Sequence, residues 1–290
     1  MINTTVIGLG AMGAGIAGNL HRAGMLASAW NRTHARAEAA GERHGFQPTP
    51  HLQAAVQSAD LIITSVSADV DLLEMTHKIA PLLQAGNVVV DTSTVSIDAA
   101  QRAAEIYEAH GVHFLDAPVS GGKEGAEKGT MVMMVGGDAQ VLQQIMPALH
   151  AISGKVIHMG PVGSGQATKA VNQIMVAGIN HAVTEALAFG QHQGLDMDKV
   201  IDAVGGGAAG NWFLDHRGAS MCQGSYEPGF RLALHHKDLK ICQQILAGDH
   251  KTLPMIEMTL ADYGRLMQEG HGDEDISTLF HSKKALLGDD

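Results

Sequence analysis

Cysteine is nearly absent: Cys222 and Cys242 are the only two in 290 residues. That excludes a disulfide framework, and neither lies in a C-x-x-C pair or in Cys/His spacing suited to a metal. Long apolar runs are missing too, none approaching the roughly 18–20 residues that cross a bilayer. Basic clusters are lacking, with 19 Lys and Arg against 30 Asp and Glu and a net charge of −11, so nucleic acid is not an expected partner. No low-complexity tract interrupts the chain. The N-terminus opens directly on a strand, without the basic and apolar pattern of a secretory signal, so a cytoplasmic protein is expected. Seventeen histidines are scattered along the chain and read as surface or core residues, with no metal site expected.

What is present is a slightly oily globular composition, 45% apolar and 17% charged, long enough for two domains. Short apolar runs at Thr4–Gly8, Ala27–Trp30, Leu61–Ser65, Val88–Asp91, His113–Asp116 and Met131–Val135 read as strands. Helical patterns lie between them, at Thr33–His44, Ala68–Leu83, Ile97–His110 and Ala139–His150. This alternation predicts a doubly wound, mainly parallel sheet of the Rossmann kind. After Gly163 the pattern changes. Residues 166–193 form an apolar, proline-free stretch that predicts a long interdomain helix buried on most sides. Further helices are expected at Met197–Val204, Lys237–Gly248, Pro254–Glu269 and Ser277–Leu287, with a glycine-rich break at 205–210 and no strands. The expected domains are therefore 1–163 and an all-helical 164–290.

The first strand runs into Gly8-Leu9-Gly10-Ala11-Met12-Gly13, a G-x-G-x-x-G turn that opens a helix. Gly8 permits the tight turn, Gly10 lets backbone approach a pyrophosphate, and Gly13 lets the helix pack closely on the sheet. An NAD site normally carries an acid at the end of the second strand. Here that strand ends Trp30-Asn31-Arg32-Thr33, and no acid follows until Glu38. Arg32 offers a guanidinium fork for a 2′-phosphate, so NADP(H) is expected to be preferred, with NAD(H) possible. Capping of the next helix by Asn31, with Arg32 merely solvated, is the competing reading.

Four separated segments resemble the β-hydroxyacid dehydrogenases, a family that includes 3-hydroxyisobutyrate dehydrogenases and several semialdehyde reductases. They are the Gly8–Gly13 turn, Asp116-Ala117-Pro118-Val119-Ser120-Gly121-Gly122, Gly163-x-Gly165-x-x-x-Lys169-x-x-Asn172, and Lys237-Asp238-Leu239. The resemblance implies that Ser120, Gly121 and Gly122 bind a substrate carboxylate and that Lys169, with Asn172 and Ser120, is catalytic. Ser120–Gly122 does offer a hydroxyl and unshielded N–H groups. A lysine early in a buried helix is expensive unless functional or paired, and burial eases loss of its proton. Asn172 and Gln173 lie three and four residues beyond Lys169, on its face of the helix. Asn172 is the expected substrate-orienting amide, with Gln173 as its substitute.

Thr94 ends the Asp91-Thr92-Ser93-Thr94 segment at a strand's C-terminal end, where cofactor and substrate meet. Ser65, Val66 and Ser67 should border the nicotinamide, and Lys237 and Asp238 should approach it from the helical domain. Phe230 and Trp212 are candidates for the pocket wall or equally for the core. The expected reaction is reversible hydride transfer between the cofactor and a short hydroxyacid or semialdehyde, with Lys169 as general acid and base. An imine reductase shares the glycine turn and the Asn-Arg-Thr segment, but that family usually has Asp or Tyr at the position of Lys169. A 6-phosphogluconate dehydrogenase would need a longer C-terminal part, and a non-catalytic nucleotide sensor would tolerate loss of Lys169 or Asn172. The apolar helix also predicts a homodimer or a homotetramer, because about 100 residues cannot cover it alone.

Overall fold

Runs of Val, Ile and Leu buried on both faces, such as Leu61-Ile62-Ile63 and Val88-Val89-Val90, can only form strands covered on both sides. The computed structural model describes residues 2–248 and 250–288, and the chain divides into two compact units after Lys169. Sequence patterning put that boundary at 163; the division falls six residues later, inside a helix.

The first unit runs β1 (Thr4–Ile7), α1 (Gly13–Arg22), β2 (Leu26–Trp30), α2 (His34–His44), α3 (Leu52–Val56), β3 (Leu61–Thr64), α4 (Asp69–Ile79), β4 (Val88–Asp91), α5 (Ile97–Glu108) and β5 (His113–Asp116). It continues with β6 (Val119–Ser120), α6 (Gly122–Lys128), β7 (Met131–Gly136), α7 (Ala139–Ile152), β8 (Ser153–Gly160) and the start of α8 (Ser164–His192). The sheet order is β2-β1-β3-β4-β5-β7-β6, with β8 also on β7. Strands β1 to β5 are parallel to one another, as expected. Beyond β5 the sheet departs from that pattern. Strand β7 runs antiparallel to β5 and β6, and β8 extends the far side parallel to β7.

Alternation along the strands feeds two cores. Val6, Ile63, Val90 and Leu115 pack with Ile16 and Leu20 of α1 on one face. Ile7, Ile62, Val89 and Phe114 pack with Leu72 of α4 and Tyr107 of α5 on the other. The sheet is doubly wound for that reason.

The second unit is helical: the rest of α8, then α9 (Met197–Gly205), α10 (Trp212–Cys222), α11 (Leu232–Ala247), α12 (Pro254–Gln268) and α13 (Leu279–Leu287). Helix α10 was not expected, although Asn211 caps it by accepting from the Leu214 N–H at 3.0 Å. Helix α11 begins five residues before the expected Lys237. Its only extended pairing among the described residues is an isolated bridge between Arg231 and Asp275. Ala177, Val183 and Leu187 of α8 share a core with Phe213, Leu239 and Tyr263. Among the described residues, no helix is long and apolar enough to cross a membrane.

Candidate active site

Strand register aligns Ile7, Thr64, Asp91 and Asp116 across one edge of the sheet, the C-terminal ends of β1, β3, β4 and β5. The candidate residues of the first unit leave from this edge, where open α/β sheets bind ligands. Gly8 has φ +92°, and a Cβ there would overlap the Ser65 carbonyl; a Cβ on Gly13 would overlap the Gly8 carbonyl. A Cβ on Gly10 would meet no protein atom within 4 Å. Internal packing thus demands glycine at 8 and 13 but not at 10, so the middle glycine fits a turn shaped to receive a pyrophosphate. Leu9, Ala11 and Met12 complete that turn.

Asn31 is half-buried and does not cap α2, whose N-cap is Thr33. Its Oδ1 accepts from the Leu9 N–H at 2.9 Å and its Nδ2 donates to the Thr33 carbonyl at 2.9 Å, which ties the glycine turn to the end of β2. Arg32 is 71% exposed, and its Nη1 lies 3.0 Å from Asp71 Oδ1 and 4.0 Å from Glu74 Oε2. The segment that looked free of acid therefore has carboxylates beside it, delivered from α4.

Two buried carboxylates organise the edge, and sequence reading gave neither a role. Asp91 accepts at Oδ1 from Thr64 Oγ1 (2.6 Å) and Ser93 Oγ (2.7 Å). Ser93 Oγ in turn accepts from the Val66 N–H at 2.8 Å, holding the Ser65–Ser67 segment. Burial pushes the Asp91 carboxyl up to about 6, against those hydrogen bonds and with some help from the charge of Asp116. Asp116 accepts from the N–H groups of Gly163 (2.7 Å) and Gln166 (2.9 Å), so it anchors the first turn of α8 on β5. Burial raises its carboxyl, and those backbone bonds oppose the rise. Gln166 completes the anchor: its Nε2 donates to the Ser93 carbonyl at 2.9 Å and its Oε1 accepts from Val95 at 3.2 Å. The available signal was an acid closing each of two apolar strands, Val88-Val89-Val90-Asp91 and Phe114-Leu115-Asp116.

That anchor sets the position of Lys169. The lysine is 7% exposed, and its Nζ donates to the Val119 carbonyl at 2.9 Å, one residue before Ser120. The structure thus joins two of the recognised segments within the first unit. Ser120 is half-buried, Gly121 is exposed, and Gly121 (φ +133°) and Gly122 (φ +62°) take backbone conformations that require glycine. Thr94 is half-buried and Ser67 exposed on the neighbouring loops.

In the second unit Asn172 Nδ2 donates to Gln173 Oε1 at 2.7 Å, and Gln173 Nε2 donates to Asp238 Oδ2 at 2.6 Å. Lys237 Nζ lies 3.0 Å from Asp238 Oδ1. Gln173 and Asp238 are buried, 1% and 4% exposed, and hold each other. Phe230 packs at the rim of the helical core, its ring 5.3 Å from that of His235. Trp212 is 53% exposed and packs instead on the His216 ring and under the Arg217 guanidinium.

A cleft of about 430 Å³ between α9 and α10 is lined by Asp198, Asp202 and Asp215 and contains no candidate residue. Among the described residues, no three His, Cys, Asp or Glu side chains gather as a metal ion needs.

Comparison with known proteins gives the family and the fold. Residues 3–160 match the family described as the NAD-binding domain of 6-phosphogluconate dehydrogenase. Residues 163–282 match that described as NAD-binding of NADP-dependent 3-hydroxyisobutyrate dehydrogenase. An uncharacterized oxidoreductase of Shewanella frigidimarina is 36% identical over 96% of this chain and 97% of its own. An NAD-dependent L-serine dehydrogenase of Pseudomonas aeruginosa is 30% identical over 94% and 95%. Among solved structures, Mycobacterium tuberculosis 3-hydroxyisobutyrate dehydrogenase with L-serine superposes with a TM-score of 0.86 at 30% identity, covering 97% of this chain and 99% of that one.

Proposed function

Because this chain belongs to the β-hydroxyacid dehydrogenase family, we propose that it reversibly oxidises a short β-hydroxy carboxylic acid to its semialdehyde, with NADP(H) preferred and Lys169 as general acid and base. Hydroxyacid oxidoreduction with a nicotinamide cofactor follows from family membership. The single observation that carries it is the buried Lys169, whose Nζ lies 2.9 Å from the Val119 carbonyl, next to Ser120-Gly121-Gly122.

Bound nicotinamide supplies or removes the hydride. The Ser120 hydroxyl and the N–H groups of Gly121 and Gly122 hold the substrate carboxylate, with Thr94 beside them. This fixes how far the reacting carbon lies from the acid group. In oxidation Lys169 takes the hydroxyl proton, and in reduction it returns a proton to the carbonyl oxygen. Asn172, one helical turn beyond Lys169 on α8, orients the reacting oxygen. A site for NADP(H) is supported by the openness over Gly10, by Arg32 and by the lack of an acid at the end of β2. A 2′-phosphate must take the guanidinium from Asp71, so we expect the preference to be graded.

A second copy of this chain is the occupant we propose for the outer face of α8. Val171, Met175 and Phe189 are 58%, 62% and 58% exposed there. Two-fold pairing of equal apolar faces removes such a stripe from water. Both cysteines are thiols, which suits the cytoplasm. The test is a turnover panel of 3-hydroxyisobutyrate, L-serine, glyoxylate, succinic semialdehyde and tartronate semialdehyde, each with both nicotinamide cofactors. Absence of turnover on 3-hydroxyisobutyrate, L-serine and tartronate semialdehyde, the three that belong to β-hydroxy acids, would overturn the reading.

A further inference from the structure

The hydrogen-bond chain from Asp238 to Asn172 has a fixed direction, and the direction begins at the carboxylate. A carboxylate accepts and does not donate. Asp238 therefore takes the Nε2 end of Gln173, at 2.6 Å, which leaves Oε1 facing Asn172. That oxygen also only accepts, so Asn172 turns its NH₂ toward it, at 2.7 Å. Asn172 Oδ1 is the end that none of these bonds uses, and Asn172 is only half-buried.

The backbone of this turn is pinned by a second directed chain. His235 Nε2 meets the Gln173 carbonyl at 3.1 Å and, because a carbonyl only accepts, that nitrogen donates; His235 Nδ1 lies 3.1 Å from the Tyr263 hydroxyl oxygen. The Tyr263 oxygen accepts from Asn180 Nδ2 at 2.8 Å. Gln173, His235, Asn180 and Tyr263 are all buried, so a reversal of either chain would strand polar groups away from water.

We propose that Gln173 and Asp238 are positioning residues that act through Asn172: they fix its amide so that Oδ1, an acceptor, is presented to the substrate. The site then favours a substrate with a donor at that point, the hydroxyl of a hydroxyacid, over one offering only acceptors. The inference rests on the reading that Asn172 contacts substrate. It departs from the expectation that Gln173 substitutes for Asn172 at the substrate, and it gives Asp238, expected beside the nicotinamide or the substrate, a role behind Asn172.

The experiment is a double-mutant cycle on the full-length protein, with 3-hydroxyisobutyrate or L-serine, whichever is oxidised faster, and NADP⁺. Asp238→Leu removes the acceptor that starts the chain and should lower kcat/KM roughly 10- to 100-fold, the usual cost of a misplaced orienting group. Asp238→Asn can still present an oxygen to Gln173 Nε2, with its NH₂ then turned to Lys237, and should lose clearly less activity than Asp238→Leu. In an Asn172→Ala background, Asp238→Leu should cost nothing more, because there is no amide left to orient. Losses that multiply in the double variant, or Asp238→Asn as damaging as Asp238→Leu, would overturn the proposal, because a general loosening of the unit does not depend on Asn172. If Asn172→Ala alone leaves kcat/KM intact, the role of Asn172 falls and the proposal with it; multiplicative losses overturn the proposal alone.

Discussion

Replacing Lys169 by methionine keeps most of the side-chain length and removes the ammonium. In the native protein Lys169 is 7% exposed and its ammonium donates to the Val119 carbonyl at 2.9 Å. Two effects on stability oppose each other. Val119 loses its donor, which costs about 1–3 kcal/mol; a buried charge disappears, which returns several kcal/mol of desolvation at most. The variant should therefore fold, and its melting temperature should stay near that of the native chain. Catalysis has no such compensation. A general acid or base contributes about 10²–10⁴-fold, equivalent to roughly 3–5.5 kcal/mol of barrier. Turnover, followed by NADPH absorbance in both directions, should fall by at least about 100-fold. NADPH binding, followed by fluorescence, should hold because the lysine acts on the reacting oxygen alone. Lys169→Arg sharpens the test: it keeps the charge but cannot release a proton at working pH, so it should be nearly as inactive. A folded Lys169→Met protein with native turnover would refute the mechanism. Substantial activity in Lys169→Arg would show that charge, and not proton transfer, is what position 169 supplies.

The other predictions concern cofactor choice, pH and assembly. Arg32→Ala should lower the NADPH-over-NADH ratio of kcat/KM by roughly 10- to 100-fold, since a bond to a charged group is worth about 1.5–3 kcal/mol. Asp71→Asn should tighten NADPH binding by up to about fivefold, with no effect on NADH, because it frees an exposed guanidinium; equal changes for both cofactors would remove Arg32 from the phosphate. Burial raises the Asp91 carboxyl to about 6 from 3.8, so between those values the folded state binds the extra proton. The native chain should then gain stability relative to Asp91→Asn as pH falls from about 7 to 4, by up to ~3 kcal/mol. A difference in melting temperature that does not vary with pH would contradict this. Light scattering at micromolar concentration should report a dimer or larger, and Met175→Glu should shift it toward the 30.4 kDa monomer; a native monomer with full activity would leave the face of α8 without a partner.

Local pattern carried much of the architecture. The buried strands, the glycine turn and the long helix were legible, because apolar period and proline-free length are properties of neighbouring residues: α8 spans Ser164–His192 against an expected 166–193. Strand direction is not such a property. Nothing in Met131–Gly136 distinguishes an antiparallel strand from the parallel ones, and Ser153–Gly160, exposed or half-buried beside β7 except at Ser153, lacked the apolar signal that marks a strand. Helix α10 was hidden by its weak periodicity beside the glycine run, despite the Asn211 cap.

At the site, the residue types and their order were readable from the chain, but their partners were not. Arg32 meets an acid 39 positions away, Asp116 reaches N–H groups 47 and 50 positions away, and Gln173 meets Asp238 across 65. A residue's chemistry is covalent and travels with the sequence. Which of its ends is engaged, and which is left for a substrate, depends on groups that only folding brings within hydrogen-bond reach. The sequence alone could nominate Lys169 and Asn172 as candidates, and only the tertiary structure decided which way the Asn172 amide points.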